Sequence, residues 1–276
     1  MTKEKELYGP EFLEQFEDNW ETDMGAAIIG KERVVLRGVD FLSGCNKRSW
    51  AEHLFFAITG EENKEFSRLI EAMWVTVTSF PDPRLWVNRV AALGGTVRTT
   101  GSLAANAASA LGEANAYGIR VGRRAVDLMY RFKEKLDAGA ELEDLIKQDL
   151  RNYKALSGFG RPLASKDERI EPLLSFARSL GYGNGPHVKL IFDIDDYFQN
   201  SRYPFQMNAG ALMAALFADQ GISAEDAYYL VIHCFMAGIY PCYIDAKNKP
   251  EGVFFPLSAS RIKYSGVHTR RNWRDI

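Results

Sequence analysis

The sequence predicts an all-α protein. Segments with apolar residues at helical spacing follow one another from Ser49 to Gly238, separated by short breaks that carry Gly or Pro. Only one short stretch near the N-terminus competes as a β-hairpin. No internal repeat or low-complexity linker interrupts the series, which suits one large domain or a large and a small one.

Taken in order, residues 1–26 read as an irregular arm with amphipathic character. A hairpin is expected near 27–38, where Ile28-Ile29 and Val34-Val35-Leu36 flank a polar turn. Ser49 suits the N-cap of a helix carrying Leu54, Phe55 and Ile58 that stops at Gly60. Phe66, Leu69, Ile70, Met73, Trp74 and Val77 predict a helix over 64–78, ended by Pro81 and Pro83. The block from Ala91 to Gly112 is rich in small residues, and Ser102–Leu111 within it is helical by propensity. Such a helix lets a neighbour approach closely, whether in an ordinary core or at a subunit interface.

Val121, Ala125, Leu128, Met129 and Phe132 mark a helix over 119–135, with Arg120, Arg123, Arg124 and Arg131 read as its solvated face. Helices follow at 141–150 and from Ile170 to Leu180. A further one over 187–200 bears Asp193, Asp195 and Asp196, read as exposed acids. The last two predicted helices, 208–219 and 224–238, are joined by Gly221-Ile222-Ser223, and the remainder reads as a tail with a basic end.

Composition narrows the function classes. With 276 residues, 46% of them hydrophobic, the chain can bury a substantial core. A net charge of −2 gives no basis for nucleic-acid binding. No apolar run is taken as a membrane span, and the charged N-terminus has no signal-like apolar core, so a cytoplasmic protein is expected. Cys45, Cys234 and Cys242 lack CxxC spacing and read as reduced thiols. His53, His187, His233 and His268 have no metal-ligand spacing, so no metal is expected.

The stretch that stands out is Leu156-Ser157-Gly158-Phe159-Gly160-Arg161-Pro162, followed by Asp167-Glu168-Arg169. Two glycines around an aromatic allow a ligand close to the backbone. Arg161 and Arg169 add permanent positive charge suited to a carboxylate or phosphate.

The order of these pieces from about residue 25 to 266 resembles the citrate synthase family, including its citryl-CoA-lyase-like members. The resemblance rests on five matches in sequence order. They are Ser49…Glu52 with Thr59-Gly60-Glu61; the loop Ala110–Gly118; Gly158-Phe159-Gly160-Arg161-Pro162 with Asp167-Glu168-Arg169; Met207–Ala211 with Gly221-Ile222-Ser223; and Ala259–Gly266. It implies a large helical domain (1–118 and 224–276), a small helical domain (119–223), a cleft between them and an intertwined homodimer. It also implies coenzyme A binding, with the Gly158, Phe159 and Gly160 backbone against the adenine.

The family's catalytic residues are replaced. Asn115 falls at the histidine that bonds the enol oxygen, and a side-chain amide can still donate to an oxyanion. Arg161 falls at the histidine that polarises the ketone; it can bind an anion but cannot act as an acid near neutral pH. Gly210 falls at the proton-abstracting aspartate. Of the arginines that hold the substrate carboxylates, Arg169 remains, while Phe235 and Ala259 replace two others; Arg261 lies two residues from the second. These losses argue against oxaloacetate and against deprotonation of an unactivated acetyl thioester. Chemistry without a strong base stays open: decarboxylative condensation, retro-Claisen or retro-aldol cleavage, or condensation of an acidic 1,3-dicarbonyl carbon. The resemblance therefore implies an acyl-CoA enzyme making or breaking a C–C bond, with Asn115, Arg161 and Arg169 in its site, Arg261 on the substrate, and Glu113 or Asp245 as a substitute acid or base. The alternatives are an inactive homologue that binds coenzyme A or an acid, or regulates an active partner, and a purely structural dimer.

Overall fold

The computed structural model describes residues 9–44, 47–77, 80–114, 118–160, 166–203 and 205–266. A short helix, α1 (Pro10–Glu14), precedes the hairpin of β1 (Gly25–Ile28) and β2 (Arg33–Leu36). The strands pair antiparallel from Gly25 opposite Leu36 to Ile28 opposite Arg33. A third strand, β3 (Val39–Asp40), extends the hairpin. It was not expected from the sequence, where two residues carry no readable period. After α2 (Phe41–Gly44), α3 (Trp50–Thr59) opens with the capping box of Ser49 and Glu52 and ends at Gly60. Arg37 fastens the hairpin to this helix by donating to the carbonyls of Ala57 and Ile58.

Helices α4 (Lys64–Val77), α7 (Ile119–Asp137), α8 (Leu142–Tyr153), α9 (Ile170–Ser179), α10 (Pro186–Gln199) and α11 (Ala209–Asp219) lie within a few residues of where the apolar periods place them. With α3 and α12 (Ala224–Val231) they share one large apolar cluster that includes Phe55, Phe66, Met129, Phe132, Leu173, Ile191 and Leu212. At its centre, α11 buries Ala209 and Ala211 through Ala218; Gly210 alone in that stretch is half-buried.

Besides the short α1 and α2, two longer helices escaped the sequence reading. One is α5 (Trp86–Thr96), which contains Gly94 and Gly95. Glycine normally weakens a helix, but a methyl at Gly94 would stand 2.6 Å from Ala104 Cβ, and one at Gly95 would collide with the carbonyl of Tyr243. The glycines let α5 lie directly against α6 (Gly101–Leu111) and α13 (Met236–Lys247). The other is α13 itself, which continues beyond Pro241. A 3-10 turn at Ile232–Phe235 joins α12 to α13, so the expected helix over 224–238 is two helices with a joint. Helices α5, α6 and α13 form a second apolar cluster around Val87, Ala91, Ala104, Ala108, Ile239 and Tyr243.

The stretch Ala224–Lys247 is long and apolar enough to match a membrane-crossing helix by length and composition, contrary to the expectation that no such run exists. Its Ala227, Leu230, Cys234, Ile239 and Ala246 are buried inside the protein. Cys234 and Cys242 are buried, and neither is in a disulfide among the described residues; Cys45 and His268 lie outside them.

Arg131 departs from the reading of a mainly solvated arginine face. Arg120, Arg123 and Arg124 are exposed, but Arg131 bridges exposed Asp127 and buried Asp149, tying α7 to α8. Asp195 is likewise more than an exposed acid: it accepts the Met207 amide at 2.8 Å, fixing the chain that enters α11 to α10.

Candidate functional site

The Gly158–Gly160 loop is held by its pairing with the segment 206–208. Phe159 forms an isolated antiparallel bridge with Met207. The amide of Asn208 donates to the Gly158 carbonyl at 3.0 Å, and the Gly160 amide donates to the Gln206 carbonyl at 2.7 Å. The Asn208 side chain closes the joint. Its Nδ2 donates to the Gly160 carbonyl at 3.0 Å, while its Oδ1 caps α11 by accepting the Gly210 amide at 2.9 Å. Phe159 turns into the core against Phe198, with ring centroids 5.4 Å apart. Gly158 and Gly160 have φ of 89° and 109°, in the region that favours glycine.

The second half of the site is an acid–base pair. The Asp167 side chain is fully buried, while that of Arg169 is 26% exposed. Asp167 Oδ1 accepts from Arg169 Nε at 2.8 Å and from the Arg169 amide at 3.1 Å, and Oδ2 accepts from Arg169 Nη2 at 2.7 Å. Oδ2 also accepts the Ala209 amide at 2.8 Å, at the start of α11. Burial alone would raise the Asp167 pKa; the guanidinium and the Ala209 amide outweigh it and bring the pKa down to about 2. Asp167 and Asn208 thus bring together a glycine loop, a guanidinium and the first turn of an eleven-residue helix. The amides of Gly160, Ala209 and Gly210 are spent on this joint, so the group left to meet an anionic ligand is the guanidinium.

Solved structures with this arrangement of helices settle the fold. Citryl-CoA lyase from Hydrogenobacter thermophilus superposes with a TM-score of 0.78 at 20% identity, over 93% of this chain and 98% of that one. ATP citrate lyase from Methanosaeta concilii, in complex with (3S)-citryl-CoA, gives 0.70 at 13% identity, over all of this chain but 47% of that one. The chain has the citrate-synthase-like fold. Citrate synthase from Thermotoga maritima shares it with a TM-score of 0.60 at 15% identity, over 82% of this chain and 60% of that one. By sequence, no family model matches the chain and no curated protein does.

Within this citrate-synthase-like fold, the expected site residues divide into three groups. Gly158, Phe159, Gly160 and Arg169 are brought together through 206–209 as described. Asn115 and Arg161 lie outside the described residues. Arg261 sits in an exposed 3-10 turn at Ala259–Arg261, and no contact among the described residues links it to the loop or to Arg169. Of the substitute acids, Asp245 is exposed on α13 and paired with Lys249 at 2.6 Å. Glu113 accepts from the Tyr228 hydroxyl, and this bond, with burial behind it, raises the tyrosine pKa. At Gly210 the nearest atom to an added Cβ is Asn208 Oδ1 at 2.9 Å, the only one within 4 Å among the described residues. The position that the resemblance sets at the family's aspartate is therefore a half-buried point of α11, where among the described residues only Asn208 Oδ1 crowds an added Cβ.

The sequence reading missed the roles of Asp167, Asn208 and Asp195. Asn208, directly before an apolar helix, is legible as an N-cap. Asp167 two residues before Arg169 is legible as a local turn. The bonds of these acids to Ala209 and Met207 span 42 and 12 residues and leave no local signal.

Proposed function

We propose that the protein is an acyl-CoA enzyme that forms or cleaves a C–C bond between an acyl thioester and a carboxylic acid other than oxaloacetate. The observation that carries this reading is the convergence of Arg169, the Gly158–Gly160 loop and the start of α11 through Asp167 and Asn208. Arg169 would hold a carboxylate, the glycine loop would lie against the coenzyme, and Asn115 would donate to the thioester enolate oxygen. Arg161, and Arg261 from a second subunit, would add charge for the acid. The neighbours in fold include a citryl-CoA lyase and an ATP citrate lyase bound to (3S)-citryl-CoA, which fits a thioester substrate. Glycine at 210 removes the acid best placed to deprotonate an acetyl thioester. The reading therefore favours cleavage, or condensation of a carbon already activated by a second carbonyl or by loss of CO2.

The proposal includes a homodimer, a division into domains at 118/119 and 223/224, and a cytoplasmic setting. Leu103 on α6, Tyr240 and Ile244 on α13, and Leu257, Ile262 and Tyr264 in the tail are exposed apolar or aromatic side chains that a second copy would cover.

Gly210 also favours a second reading, an inactive homologue that keeps ligand binding. Incubation with (3S)-citryl-CoA, malonyl-CoA, and acetyl-CoA plus a panel of carboxylic acids, followed by mass spectrometry, separates the two. Consumption of an acyl-CoA with matching acid and thioester products supports the enzyme. Binding of coenzyme A without turnover of any of them selects the second reading.

A further inference from the structure

This inference rests on the reading of Arg169 as the group that meets an anionic partner. We propose that Asp167 is the positioning residue of that anion site, presetting the Arg169 guanidinium and linking it to α11. The acid is sunk, with no side-chain exposure, while the guanidinium emerges at 26%. Asp167 grips the Nε and Nη2 edge of the fork at 2.8 and 2.7 Å. A planar guanidinium held along that edge keeps Nη1 clear of the carboxylate, and Nη1 carries no bond among the described residues. The backbone amide of Arg169 bonds to the same carboxylate, so main chain and side chain are fixed together. The second anchor is the Ala209 amide, next to the half-buried Gly210. An arginine immobilised beforehand loses less freedom when it binds a carboxylate. Its orientation relative to α11 is set by Asp167 and not by the ligand.

The test is calorimetric titration of wild type, Asp167→Asn, Arg169→Met and the double variant with citrate, succinate and coenzyme A. Asparagine keeps the shape and one acceptor but loses the charge. The expected result is a rise of at least about tenfold in the carboxylate Kd of Asp167→Asn, with the coenzyme A Kd within about threefold of wild type. In the Arg169→Met background, Asp167→Asn should have no further effect on carboxylate affinity. Should Asp167→Asn not fold, Arg169→Lys replaces it. Lysine keeps the charge without the fork and should also lose about tenfold in carboxylate affinity. Wild-type carboxylate affinity in Asp167→Asn or in Arg169→Lys overturns the proposal, as does equal weakening of all ligands. Wild type that binds coenzyme A but neither carboxylate overturns it while leaving a thioester-binding function standing. Wild type that binds none of the three overturns the functional reading itself.

Discussion

Gly158 lies against Ala211 so closely that a methyl at Gly158 would stand 2.8 Å from the Ala211 Cβ and 2.9 Å from its Cα. The glycine loop is therefore wedged on the first turn of the most buried helix, in a backbone conformation with φ of 89°. Gly158→Ala meets both obstacles and should cost at least about 2 kcal/mol. Gly160→Ala meets strain but little crowding, its nearest neighbour among the described residues being Phe205 Cδ1 at 3.6 Å, and should cost about 1 kcal/mol. Urea unfolding of the two variants checks the order. Equal costs would show that packing against Ala211 is unimportant.

The buried carboxylate at Asp167 predicts an acid limb in the stability profile. Its folded-state pKa, about 2, lies below the ordinary 3.8. The stability it contributes is present above pH 3.8 and is lost as the pH falls towards 2. The lost amount is about 2 kcal/mol. Asp167→Asn should flatten that part of the profile, measured by thermal unfolding from pH 5 to pH 2.

Arg131 offers an internal comparison of two ion pairs. Asp149, 6% exposed, and Asp127, with its side chain 57% exposed, share the same guanidinium. Arg131→Met leaves the Asp149 charge buried without its partner and should cost about 3 kcal/mol. Asp127→Asn should cost less than about 0.5 kcal/mol, because water already screens that pair. Denaturant midpoints of the two variants make the comparison.

Gly210→Asp tests the position at which the resemblance sets the family's proton-abstracting aspartate. Among the described residues only Asn208 Oδ1 must give way, and a carboxylate in the first turn of a helix is favoured by the macrodipole. The variant should fold with a loss below about 1 kcal/mol. Under the proposed function it should exchange the methyl hydrogens of acetyl-CoA in D2O, which wild type should not. Mass spectrometry of recovered acetyl-CoA gives the answer.

Much of the fold was legible because it depends on local chemistry. The Ser49–Glu52 capping box, the apolar stripe of α7 and the Pro186 start of α10 are readable from neighbours a few residues apart. Helices α5 and α13 were not, because Gly94, Gly95 and Pro241 look like breakers until the close approach of α5 to α6 and α13 is known. The site divides the same way. Gly158, Gly160 and Arg169 stand out by residue type. The joint that gathers them does not, since Asn208 reaches Gly160 across 48 residues and Asp167 reaches Ala209 across 42.

The most direct test of the functional account is a thermal-shift and calorimetric titration of wild type with coenzyme A, acetyl-CoA, malonyl-CoA and (3S)-citryl-CoA. The account predicts saturable binding, with stabilisation of about 2.7 kcal/mol at a hundred times the dissociation constant. It also predicts that one acyl form binds more tightly than free coenzyme A, which would name the substrate to assay. No response to any of the four would contradict it.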